Sequence, residues 1–145
     1  MREKKNIKLD IVNLLDEIQN GKYSNIQMNY YFSQNEYSKK EREFITNIIN
    51  VTLKNLIFVD YMLGQTVRNI QKRKIKQLLR ISVAQILFMD SDNAGVVYEA
   101  GEISKIINKH QTGFVNATLQ AIIKNKEEII NAIPEDKKEG IVNSY

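Results

Sequence analysis

Apolar residues recur along this chain at helical rather than strand spacing. In "IKLDIVNLLDEIQNG", Ile7, Ile11, Leu14, Leu15 and Ile18 follow the i, i+4, i+7, i+8 stripe of an amphipathic helix. Gly21 offers a left-handed stop, so this helix is expected from about 6 to 19. "SNIQMNYYF" carries Met28, Tyr31 and Phe32 at helical spacing and reads as a brief second helix before the polar "SQNEYS". Ser38 and Glu41 then form the Ser-x-x-Glu capping box, in which each side chain satisfies the other residue's unpaired amide.

That box announces a long helix with Phe44, Ile45, Ile48, Ile49, Thr52, Leu53, Leu56 and Ile57 on a broad apolar face. From Phe58 to Gly64 the helix either ends or bends and continues. "KIKQLLRISVAQILFMD" is basic at its start and apolar on nearly every side from Leu78 to Met89, which places it in the middle of the protein. "DSDNAG" supplies Asp and Asn caps, and Val96, Val97, Ala100, Ile103 and Ile107 make the next stripe. Thr112 and Gly113 begin a last long helix with Phe114, Val115, Thr118, Ala121, Ile122 and Ile129 inward, and Pro134 ends it. The following "PEDKKEG" reads as a short turn or solvated helix.

One proline and six glycines in 145 residues leave too little punctuation for an all-β protein. The expectation is therefore an all-α, compact bundle of about six to seven helices forming one domain over residues 1–145. The absence of cysteine removes disulfides, thiolate metal sites and cysteine nucleophiles, and suits a reducing cytosol. "MREKKNIKLD" contains no apolar signal region, and no window approaches the roughly 18 apolar residues of a membrane span. No membrane partner and a cytoplasmic location follow as expectations.

Lys plus Arg number 21 against 17 Asp plus Glu, a net charge of +4, which mildly favours a polyanionic partner. The cations gather in two clusters: Arg2, Lys4, Lys5 and Lys8 at the start, and Arg68, Lys72, Arg73, Lys74 and Lys76 before the central helix. Each could neutralise several phosphates, although runs of charge are more often just solvated faces. Tyr23, Tyr30, Tyr31 and Tyr37 lie between the clusters and could stack on bases or form the rim of the core.

Motifs for phosphate loops, dinucleotide binding, histidine-based metal sites and calcium loops are absent, so no metal and no cofactor is expected in this domain. His110, the only histidine, is read as a helix-end residue. Glu99 and Glu102 share a helical face and serve as an acid/base pair or as partners of basic residues, the second reading being preferred. Arg80 interrupts a strongly apolar run, where an unpaired guanidinium would be expensive to bury. Glu99 or Glu102 is the expected partner in a structural ion pair.

Three segments together resemble the NusB-like helical domain family: "EREFITNIINVTLKNLIFVDYML", "LLRISVAQILFMD" and "VVYEAGEISK…TGFVNATLQAI". With the "NGKYSN" turn they span nearly the whole chain in the family's order. The family has two main branches, the free-standing NusB antitermination factors and the N-terminal domains of bacterial small-subunit rRNA cytosine-5 methyltransferases of the Sun/Fmu type. Gln85 and "ILFMD" resemble the methyltransferase branch, as does the tail "EGIVNSY". The chain departs from the family pattern at Ala84, Asn93, Ala94, Tyr98 and Gln120, and none of these replacements disturbs the helical periodicity.

The resemblance implies an RNA-binding accessory domain, non-catalytic by itself, that helps a methyltransferase engage 16S rRNA. Transfer from S-adenosylmethionine would belong to a catalytic domain C-terminal to Tyr145, where the family uses a cysteine nucleophile that this chain lacks. The alternative is an antitermination factor that binds RNA with a ribosomal protein; a second alternative is a protein-interaction or dimerisation module. Asn116 either binds backbone groups near its helix start or faces RNA, and the structural role is preferred.

Overall fold

The structure is a computed structural model and describes residues 6–70 and 72–131. Seven α-helices and a 3-10 turn account for nearly all of them: α1 (Ile7–Gln19), α2 (Ser24–Gln34), α3 (Lys39–Lys54), α4 (Leu56–Thr66), α5 (Arg73–Phe88), α6 (Asn93–Asn108), the turn Lys109–Gln111, and α7 (Thr112–Asn131). The all-α bundle expected from the sequence is what is found, with no strand among the described residues. Pro134, the tail and the side chain of Ile129 lie outside the described parts.

Local chemistry sets the helix boundaries. Asn6 caps α1 by accepting from the Leu9 amide. At the other end Gly21 adopts φ 100°, and the Lys22 and Gly21 amides donate to the Glu17 and Ile18 carbonyls. That pair of bonds is a Schellman closure, and its left-handed residue favours glycine. The Ser38–Glu41 capping box is formed in both directions, at 3.1 and 2.7 Å. Asn55 resolves the bend between α3 and α4: its backbone leaves the helical region for one residue, its Nδ2 donates to the Val51 carbonyl, and a new helix begins at Leu56. Gly64 therefore lies within α4 rather than at its end. Asp92 starts α6 by accepting from the Gly95 amide.

α5 is the hub, in contact with α1, α3, α4, α6 and α7. Every residue from Gln77 to Ile86 is buried, including Leu78, Leu79, Ile81 and Val83 with no exposed surface. Roughly 1.5–3 kcal/mol accompanies full burial of each such side chain, so packing around α5 rather than helical propensity holds the bundle. Its buried hydroxyl is satisfied locally, because Ser82 Oγ donates to the Leu78 carbonyl at 2.8 Å. α6 and α7 form an antiparallel pair whose junction is fastened by Ser104 Oγ, 2.7 Å from the Gly101 carbonyl and 2.9 Å from Thr112 Oγ1. Val115, Thr118, Leu119 and Ile122 form the inner face of α7.

Candidate nucleic-acid interface

The start of α5 carries the strongest local concentration of positive charge in the described residues. Lys72 occupies the N-cap position without a side-chain cap bond, Arg73 and Lys74 follow, Lys76 is half-buried, and the first turn contains no acidic residue. Backbone amides at a helix start already amount to about half a positive charge. Cations there work against helix stability, so this arrangement needs either a compensating anion or a function.

One anion comes from another helix. Arg73 Nε and Nη2 donate to the two carboxylate oxygens of Asp16 at 2.9 and 2.8 Å, a bidentate clasp between α5 and the last turn of α1. Asp16 is buried, and the Arg73 guanidinium holds its carboxyl below the usual carboxylate range against the opposing effect of burial. Arg68, Lys72, Lys74 and Lys76 form no ion pair among the described residues. Shallow grooves flank this corner on both sides. Arg68, Asn69, Lys76 and Asp60 line one against α4; Lys72, Arg73, Lys74 and Asn108 line the other against the end of α6.

The first cluster does not hold together as a surface. Lys8 is only 3% exposed and points inward, donating to Glu99 Oε1 at 2.8 Å and to Gln85 Oε1. Burial pushes its ammonium below the ordinary lysine range, partly offset by Glu99. It fastens α1 to α5 and α6 and cannot meet a phosphate from this position. Its place on the face shared by Val12 and Leu15, four and seven residues on, was the available signal. Arg2, Lys4 and Lys5 lie outside the described residues.

Arg80 is buried and paired, but not with Glu99 or Glu102. Its Nε and Nη2 donate to Asp60 of α4 at 2.9 and 2.8 Å, and its Nη1 donates to Gln77 at 3.1 Å. The expected partners are occupied elsewhere: Glu99 accepts from Lys8, and Glu102 accepts from Lys105 on the outer surface of α6 at 3.0 Å. Asp60, a lone acid within "LIFVDYML", is the counterpart of a lone base within "LLRISVAQIL". Lys8 with Gln85, and Asp16 with Arg73, also show that α1 and α5 run antiparallel.

The tyrosines divide. Tyr37 is buried and donates to Asp10 Oδ2 at 2.6 Å; Tyr31 is half-buried beside Glu17, and burial raises both phenols above the ordinary range. Both belong to the rim of the core. Tyr23 and Tyr30 are exposed. His110 is exposed in the 3-10 turn, and Asn116 is exposed on α7 without a side-chain hydrogen bond among the described residues. The described residues hold no group of three or more metal-ligating acids and histidines, and no helix among them is long and apolar enough to cross a membrane.

Comparison with known proteins agrees with this architecture. The NusB family profile matches residues 5–124. A "Probable ribosomal RNA small subunit methyltransferase B" of Bacillus subtilis is 34% identical over 121 residues, 81% of this chain but 27% of that protein's length. A "Transcription antitermination protein NusB" of Campylobacter jejuni is 24% identical over 132 residues, 88% of this chain and the whole of that protein. A Nitratiruptor protein with the same description is 29% identical over 59% of this chain and 65% of its own length. No solved structure matches. With a profile covering most of its described residues and the all-helical architecture in place, the chain belongs to the NusB family.

Proposed function

We propose that this domain binds RNA through the corner where α4, the start of α5 and the end of α6 meet, and that it serves a small-subunit rRNA cytosine-5 methyltransferase by helping it engage rRNA. The observation that supports this most is the set of unpaired cations at the positive end of α5, a placement that disfavours the helix and favours a phosphate backbone. Similarity to the Bacillus methyltransferase supports the choice of branch. In this reading Arg68, Lys72, Lys74 and Lys76 meet phosphates, Arg73 positions the corner through Asp16, and the structural ion pair is Arg80 with Asp60. S-adenosylmethionine chemistry and a cysteine nucleophile belong to a separate catalytic domain, and the place of work is the cytoplasm.

A second reading, a free-standing antitermination factor acting with a ribosomal protein, is favoured by the match that covers the whole Campylobacter protein. Reading the gene past the Tyr145 codon separates the two: a cysteine-bearing methyltransferase domain in frame supports the first, and a stop codon supports the second. Incubating this chain with S-adenosylmethionine and small-subunit rRNA tests the division of labour. RNA binding without methyl transfer is expected, and cytosine methylation by this chain alone would contradict it.

A further inference from the structure

Gly64 lies in the last turn of α4, where nothing in the fold calls for a glycine. After proline, glycine is the residue a helix accepts least readily. A fold usually retains it for a left-handed backbone or for a neighbour packed too closely to admit a side chain. Neither reason applies here. Gly21 is the only glycine with positive φ among the described residues, so Gly64 has an ordinary helical backbone. A Cβ added at Gly64 would meet nothing within 4 Å, so no other helix presses on it.

That bare stretch of helix lines the groove between α4 and the start of α5, a space of about 180 Å³ whose walls also include Arg68 and Lys76. Neither cation forms an ion pair among the described residues. Asp60 is the one acid lining the groove, and Arg80 holds both of its carboxylate oxygens, so the uncompensated charge there is positive. The space is smaller than the roughly 300–1,000 Å³ of small-molecule pockets, and its open shape suits a chain lying along it. One helical turn separates Lys76 from Lys72 on the other groove, the Lys76 amide donating to the Lys72 carbonyl at 2.9 Å. Gly101 of α6 has equally open space around it but lines neither groove.

We infer that Gly64 is a close-approach site, where the sugar–phosphate backbone of RNA lies against the bare backbone of α4 while Arg68 and Lys76 hold its phosphates. The inference rests on the RNA-binding reading above and adds one residue and the part of the RNA that it meets. A glycine lets a ligand come closer to a helix than any side chain would. Charge-assisted hydrogen bonds close at about 2.7–2.9 Å, so a methyl group in the strand's path lengthens the contacts that reach it from Arg68 and Lys76. The contact is to the backbone and carries no sequence information.

The test is equilibrium binding, at low salt, of a fluorescently labelled single-stranded rRNA fragment and of an abasic strand of equal length, with thermal unfolding of each variant. The variants are Gly64→Ala, Gly64→Leu and Gly101→Ala. Gly64→Ala should raise the unfolding midpoint by roughly 1–4 °C, because the helix gains a better former. It should nevertheless weaken binding of both strands about tenfold, the loss of one hydrogen bond to a charged group. Gly64→Leu should weaken both further, and Gly101→Ala should gain stability without losing affinity. A purely structural role would not lower affinity while raising stability. Wild-type binding that both Gly64 variants leave unchanged would overturn the close approach and leave the cationic corner standing. No binding by the wild type would remove both. A loss confined to the base-bearing strand would assign the groove to bases, and an equal loss in Gly101→Ala would assign the effect to helix rigidity; either overturns the inference.

Discussion

Arg73 of α5 and Asp16 of α1 share two parallel hydrogen bonds, so the most cationic helix start in the described structure is anchored by a carboxylate from a different helix. The pair supplies the negative charge that the first turn of α5 lacks, and it binds the last turn of α1 to the proposed interface.

Acid should expose this relationship. Arg73 lowers the Asp16 carboxyl below its ordinary value of 3.8, so the stabilisation is present above that value and is lost as pH falls through the lower, folded-state value. Asp16→Asn should be less stable than the wild type near neutrality, and the difference should shrink below about pH 4. Thermal unfolding followed across that range checks it; a difference independent of pH would show that the pair contributes no charge-linked stability.

Asp60 and Arg80 form the second clasp, and Arg80 is the more deeply buried partner. Asp60→Ala strands a buried guanidinium and should cost about 2 kcal/mol, reduced from the fully buried case because Asp60 meets solvent. Arg80→Met should cost less, and Glu102→Gln should leave stability within about 0.5 kcal/mol of the wild type. Urea unfolding of the three variants is sufficient. A larger loss from Glu102→Gln than from Asp60→Ala would contradict the pairing.

Lys8 gives a pH dependence of the same sign in the alkaline range, arising from a destabilised charge rather than a stabilised one. Its folded-state value is lowered below 10.5, so the folded protein binds that proton less tightly than the unfolded chain, and stability from this group rises as pH climbs from the lowered value towards 10.5. Lys8→Met should remove that alkaline rise, stay within about 1 kcal/mol of the wild type near neutrality, and leave RNA affinity unchanged. Unfolding curves at alkaline pH, together with an RNA titration, measure both. A large loss of affinity would return Lys8 to the interface.

The capping box at the start of α3 gives a purely local prediction. Ser38→Ala removes the acceptor of the Glu41 amide and should cost about 1 kcal/mol with the slope of the urea transition unchanged. A variant as stable as the wild type would show that water replaces the cap without loss.

These cases also show what the sequence could disclose. Ser38 with Glu41, Gly21, and the apolar residues on every side of α5 act within a few positions of themselves, so the helices and the central one among them were legible. The burial of Arg80 was legible for the same reason, since a charge within an apolar run needs a partner. Its identity was not, because Asp60 is selected by how α4 packs on α5, and sequence separation carries no record of that. Lys8 was misread because neighbouring lysines suggested a surface cluster, whereas its helical position places it beside Val12 and Leu15. The basic corner was visible as a run of charge, but Asp16 joined it only through tertiary contact.

The salt dependence of RNA binding tests the central claim most directly. Affinity for a single-stranded small-subunit rRNA fragment is measured over a range of salt concentrations for the wild type and for Lys72→Ala with Lys74→Ala. The proposed interface predicts salt-sensitive binding whose log–log slope falls by about 0.7 for each phosphate contact removed, hence by about 1.4 in the double variant. Absence of binding at low salt, or an affinity and slope that the double substitution leaves unchanged, would contradict it.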